Sequence, residues 1–200
     1  MRAVPAIALT LGYDTTQRLD AAAYARLYAR GFRFRMGYLD AMTPAELEAC
    51  LASGTAFVPL TYADEFDGDH TLARAAALSL PRGTTIYLDV EALSLSSDDA
   101  IARINAWAAK VVGAGFVAGL YVGAGVPLTA YELTSLSQIT RYMEGCSRLL
   151  GRDGLPQVPK RGYGIKQGRP FNTVVEGVLV DVDFLCEDYD DDLPTWVVTP

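Results

Sequence analysis

Histidine is almost missing from this chain: His70 is the single one among 200 residues. A Ser-His-Asp or Cys-His nucleophile would have to be built on it, yet it falls at no candidate strand end. Zinc hydrolases and metal-dependent polysaccharide deacetylases draw on more histidine ligands than one. His70 instead follows the acidic loop Asp64-Glu65-Phe66-Asp67-Gly68-Asp69 and reads as a solvated residue at a helix start. Cysteine is scarce as well. Cys50, Cys146 and Cys186 are odd in number and widely spaced, which argues against a disulfide framework or zinc site and for buried thiols. Positive charge is in deficit, with 17 Lys and Arg against 24 Asp and Glu for a net −7. Nucleic-acid binders carry a basic patch, so that class is excluded. Long apolar runs are absent too: Val111 to Val126 is interrupted by glycines and short of the ~18 residues of a membrane span.

What is present fits one ordinary globular domain. Half the residues are hydrophobic and a fifth are charged. The start, Met1 to Leu11, has one positive charge and a short apolar run but no small-residue cleavage site. It therefore reads as a first strand rather than a signal peptide, in a chain made in the cytoplasm. Strand-like and helix-like segments then alternate. Strand candidates are 6–13, 32–38, 55–62, 84–90 and 117–122, separated by helices over 18–30, 43–53, 69–80 and 97–112. Thr43-Pro44-Ala45-Glu46 carries an N-cap, a proline at the first helical position and a capping-box glutamate. Beyond a helix starting near Leu128, strands are expected at 139–144, 162–167 and 178–184, with loops in place of full helices. Eight strands in this rhythm imply an α/β fold: an abbreviated (β/α)8 TIM-type barrel with helices missing or short in the last units. A doubly wound open sheet competes, but no Gly-rich phosphate loop follows the first strand. The barrel domain is expected over 1–186, with 187–200 as an acidic solvated tail.

The strand ends carry the chemistry. Asp14 follows the first, Tyr38 and Tyr62 end the second and third, and Asp89 and Glu91 end the fourth. Tyr121, Glu144 and Gln167 end the next three, and Asp181 and Asp183 the last. In a parallel barrel these ends meet on one face, giving an acidic, tyrosine-lined bowl. Asp89 and Glu91 stand at i and i+2 and so point the same way. Paired carboxylates are what acid/base hydrolysis of a glycosidic bond requires, and crowding favours keeping one of them protonated. The competing reading of Asp89 and Glu91 is a loop or helix cap, of Asp183 and Glu144 a salt bridge, and of the tyrosines rim packing. For Gln167 it is a buried hydrogen-bonding role. An all-carboxylate Mg²⁺ or Ca²⁺ site is the least favoured enzymatic alternative.

Gly12-Tyr13-Asp14, Tyr87-Leu88-Asp89-Val90-Glu91, Gly119-Leu120-Tyr121, Ile165-Lys166-Gln167 and Val180-Asp181-Val182-Asp183 come in the order used by family 25 glycoside hydrolases. These are lysozymes that cleave muramic-acid linkages of peptidoglycan. The chain also resembles a related glycoside-hydrolase-like domain of unknown function, through Gly31-Phe32-Arg33-Phe34, Tyr38-Leu39, Leu80-Pro81-Arg82-Gly83 and Arg161-Gly162-Tyr163-Gly164. The resemblance spans about residues 6 to 185. It implies that Glu91 is the acid/base and that Asp89 assists the substrate's N-acetyl group or the transition state. Asp14 and Asp181 would be flanking carboxylates, and Tyr121 and Gln167 sugar contacts. Gly37, Met143 and Asp183 depart from the pattern, where an Arg, a Trp and an Asn are common. The expectation is a cofactor-free, metal-free, monomeric lysozyme-like endolysin acting on peptidoglycan at the cell wall or periplasm, with no nucleic-acid partner and no membrane insertion. The alternative is a non-catalytic glycan-binding barrel, such as a wall-targeting or phage structural component.

Overall fold

The structure, a computed structural model, describes residues 1–63, 66–123, 125–145, 162–168, 172–186 and 193–200. Cys146, Asp64, Glu65, Arg161 and the acidic run 187–192 lie outside the described residues. Eleven strands are described. They are β1 (Arg2–Pro5), β2 (Leu11–Asp14), β3 (Phe34–Tyr38), β4 (Ala56–Tyr62), β5 (Thr85–Asp89), β6 (Val117–Val122), β7 (Ile139–Glu144), β8 (Ile165–Gln167), β9 (Thr173–Val175), β10 (Val178–Leu185) and β11 (Thr195–Val198). The helices are α1 (Ala21–Ala29), α2 (Pro44–Ala52), α3 (Gly68–Ala77), α4 (Ser97–Gly113) and α5 (Ala130–Ser135).

Strands β2 to β8 run parallel in sequence order, and β10 pairs antiparallel with both β8 and β2. The sheet is thereby closed into an eight-stranded α/β barrel. The expected final unit thus runs the other way, because the short β9–β10 hairpin approaches it from the open end. Helices follow each of β2 to β6, and the last of them, α5, has six residues.

Alternation along the strands sorts the apolar side chains into two layers. Outward residues such as Tyr13, Phe57, Ile86, Leu88, Leu120 and Tyr142 pack under the helices, with Leu27, Leu47, Ile104 and Trp107 opposite them. Inward residues such as Phe34, Met36, Val58, Tyr87, Met143 and Ile165 fill the barrel. Glycines make the fit possible. A Cβ at Gly12 would fall 2.2 Å from the Phe34 ring, and one at Gly119 would fall 2.8 Å from the Tyr87 ring.

Three expectations need correction. The stretch 6–13 is not one strand: Arg2–Pro5 and Leu11–Asp14 are separate, and Ile7 and Leu9 between them are exposed. The C-terminal residues are not all tail. Strand β11 pairs with β1 and, through Val197 opposite Phe57, with β4. Its neighbour residues cross the closed end of the barrel, where the Leu193 carbonyl accepts from Arg141 Nε at 2.8 Å, Thr195 N–H donates to Thr85 Oγ1 at 2.9 Å, and Trp196 packs on Phe34. The domain boundary at 186 therefore cuts off part of the fold. Lastly, Glu46 is not the reciprocal member of a capping box. Thr43 accepts from Glu46 N–H as expected, but the Glu46 carboxylate turns inward to Arg35 Nη1 at 2.5 Å and the Leu19 N–H at 2.9 Å.

Candidate active site

The open end of the barrel is built from the C-terminal ends of the parallel strands. Asp89 is the last residue of β5, and its carboxylate is fixed on both oxygens. Tyr38 Oη, from the end of β3, donates to Asp89 Oδ2 at 2.6 Å. The Glu91 N–H donates to Asp89 Oδ1 at 3.0 Å. Asp89 thus does cap the following turn, and the same contact holds Glu91 in place. Val90 between them is buried in the outer core, which keeps Asp89 and Glu91 on the inward side. The Glu91 side chain lies over the end of β6, where a Cβ at Gly123 would meet its Oε1 at 1.6 Å.

Across the bowl, Asp14 ends β2 and Gln167 ends β8. Strand β10 runs between them, with Asp181 opposite Asp14 and Asp183 opposite both Gly12 and Gln167. The Gln167 amide reaches over this strand and donates through Nε2 to Asp14 Oδ2 at 2.7 Å. Its carbonyl accepts a long bond, 3.5 Å, from Tyr121 Oη. The Tyr121 ring rests on Gly145, where a Cβ would come within 2.6 Å. Asp181 Oδ1 accepts the Asn172 N–H. Asp183 is wholly buried, and neither of its oxygens has a hydrogen-bond partner among the described residues.

These acids feel one another. Burial first, then the negative charge of Asp181, push the Asp14 carboxyl up to about 7, with smaller contributions from Glu91 and Asp89 and an opposing one from the Gln167 hydrogen bond. Burial, then Asp14 and Asp181, push Asp183 well above the ordinary carboxylate range. The Tyr121 phenol is raised by burial and by Asp14, Glu91, Asp89 and Asp183 around it. Tyr38 is raised by burial and by its acceptor Asp89. Groups on β2, β5 and β10 therefore share one electrostatic site, and carboxyls this crowded do not all ionise together near neutral pH.

Tyr38 and Tyr62 stack with ring centroids 3.9 Å apart and planes 7° from parallel, and Tyr62 is 46% exposed at the rim. One expected member does not join the bowl. Glu144 shares the outward side of β7 with Tyr142, of the outer core, and opposes Lys166 at 3.9 Å, whereas Met143 points inward. It therefore faces away from the acids. Sequence reasoning passed over Gly123 and Gly145, which seat Glu91 and Tyr121. The available signal was a glycine just past a strand end, where a close approach by a neighbouring side chain forbids a Cβ. His70 is exposed and pairs with Asp40 at 2.8 Å, away from these strand ends. Among the described residues, no group of three or more acidic, histidine or cysteine side chains is placed to hold one metal ion, and no helix is long and apolar enough to cross a membrane.

A closed eight-stranded α/β barrel with acids at one end is the class that fold and site define. No protein-family profile and no curated protein sequence matches the chain. Two solved structures share the fold. One is an uncharacterized B. stearothermophilus protein, 16% identical, with a TM-score of 0.68 over 92% of this chain and 99% of that one. The other is a Tat-secreted protein of Mycobacterium tuberculosis solved in complex with L-tartrate, 14% identical, with a TM-score of 0.66 over 91% of this chain and all of that one.

Proposed function

We propose that the protein is a glycoside hydrolase of the lysozyme type, acting on peptidoglycan at the cell wall or periplasm, on an abbreviated TIM-type barrel. One observation carries the reading: Asp14, Asp89, Glu91, Asp181 and Asp183, drawn from three separate strands, share one site beside a stacked tyrosine pair. The exposed Tyr62 ring, stacked on the Tyr38 that donates to Asp89, is a surface on which a sugar ring can rest beside the acids. Glu91, held by its backbone bond to Asp89, gives a proton to the glycosidic oxygen as the bond to the anomeric carbon breaks. Asp89, fixed by Tyr38, faces the positive charge that develops there or steadies the substrate's own N-acetyl group. Water then adds to the anomeric carbon and returns its proton to Glu91. Asp14 and Asp181 keep the local charge high, so that a proton stays within the group near neutral pH.

A second reading has its own support. Both oxygens of Asp89 are engaged by protein donors, as in a carboxylate that shapes a binding surface. That arrangement is compatible with glycan binding without cleavage. Incubating wild type and Glu91→Gln with several peptidoglycans, and measuring new reducing ends, separates the two. The hydrolase reading expects release by the wild type and a loss of about 100-fold or more in the variant. Equal activity removes Glu91 from the chemistry. Equal inertness, with saccharide binding by calorimetry, establishes the second reading.

A further inference from the structure

Among the described residues, Asp183 has no direct hydrogen-bond partner in the bowl. It lies on β10, the strand that closes the barrel, and its side chain is fully buried with neither carboxyl oxygen hydrogen-bonded. The groups that face it are Asp181 on its own strand, Asp14 from β2, the Tyr121 phenol from β6 and the neutral Gln167 amide from β8. The nearest cation along β8, Lys166, sits on the outer side against Glu144. Among the described residues, a carboxylate anion here would have no donor, no cation and two acids beside it, a state far more costly than the neutral acid.

We propose that Asp183 is a buried protonated acid that locks the closing strand: losing its proton loosens the β2–β10–β8 seam that carries Asp14 and Gln167. The proton leaves to hydroxide, and the anion left behind must be met by water entering between these strands. The bowl thus has an alkaline limit set from beneath, by a residue that need touch no substrate. Asparagine keeps the size and polarity of the neutral acid without the ionisation, so Asp183→Asn removes the limit while preserving the seam.

The sign follows from linkage. A carboxyl whose folded value lies above its unfolded one stabilises the fold at low pH, and that contribution is lost as pH rises through the folded value. Asp14 accounts for such a loss up to about 7; Asp183, pushed up by burial and by Asp14 and Asp181, adds a loss of the same sign. Two readouts test the proposal, and neither uses a glycan, so their outcome is independent of the hydrolase reading. Infrared spectra of protein carrying ¹³C-labelled aspartate, taken at about pH 8 where Asp14 has ionised, should keep a protonated-carboxyl C=O band in the wild type that is gone in Asp183→Asn. The wild-type melting temperature should then fall by about 3 °C per pH unit on further alkalinisation, and that of Asp183→Asn by less than half as much. Should Asp183→Asn fail to fold, Asp183→Ser serves for the melting series, and the wild-type spectrum still decides. No protonated carboxyl in the wild type at about pH 8, or an equal alkaline fall in wild type and variant, overturns the proposal.

Discussion

Gln167 donates to Asp14 across 153 residues of sequence, at 2.7 Å, over the top of an antiparallel strand that belongs to neither residue. The bond ties the first barrel strand to the last parallel one at the level of the acids. It also holds the Asp14 carboxyl lower than burial and Asp181 alone would leave it.

Asp14 makes stability depend on pH. Its folded value, about 7, lies above its ordinary 3.8, so its contribution is fully present below about pH 4 and is lost as pH rises through about 7. The wild-type melting temperature, corrected for the other carboxylates by comparison with Asp14→Asn in the same buffers, should fall across that window. In Asp14→Asn the fall should be visibly smaller. Identical curves would show that Asp14 titrates normally.

Gly123→Ala tests the seat of Glu91. The added methyl would stand 1.6 Å from Glu91 Oε1, so the carboxylate must leave its place. Misplacing a reacting group by about 1 Å costs on the order of 100-fold. Reducing-end release should drop by that factor while the melting temperature changes little. Full activity in this variant would mean that Glu91 does not act from the position described.

The buried pair Arg35–Glu46, 2.5 Å apart with both side chains 5% exposed or less, supports the bowl from outside, between β3 and the first two helices. Removing one partner leaves an uncompensated buried charge, and here it also strips the Leu19 N–H of its acceptor. Glu46→Ala should cost about 3–5 kcal/mol in urea unfolding. A loss under about 1 kcal/mol would show that water or another group takes over.

Trp196 closes the other end. It is 6% exposed and packs on Phe34 with ring centroids 6.0 Å apart. Trp196→Ala should destabilise by about 3 kcal/mol or more. On the hydrolase reading, the pH profile of glycan release, set at the opposite end, should keep its shape in conditions where the variant is folded.

How much of this was legible depended on what each residue reports. The βα rhythm of the first five units is written in the period of the apolar residues, and apart from the first strand, of which only Leu11–Asp14 joins the barrel, their strands and helices fall where expected. The direction of β10 is not written there, because Val178 to Leu185 alternates equally well in either sense; only the hairpin with β9 reverses it. Even so, Asp181 reaches the bowl, since reversal places the first half of β10 at the open end, and Asp183 lies buried one layer beneath it, opposite Gly12. Glu144 was misassigned for a related reason. Being at a strand end does not fix which side a residue faces, and a shift of one residue exchanges inside for outside. Trp196 was hidden by its place beyond the acidic run, where a four-residue strand has too little pattern to stand out. The acids at Asp14, Asp89 and Glu91 were readable because they follow apolar runs directly.

Strands β1 and β11 lie side by side, Arg2 opposite Val198, beneath the barrel and away from Tyr62 and Glu91. Both ends of the described fold therefore emerge together on the side remote from the acids. A protein tethered to a solid support through either end would present the bowl away from that support, and a short linker joining the two ends would leave room to open the chain elsewhere.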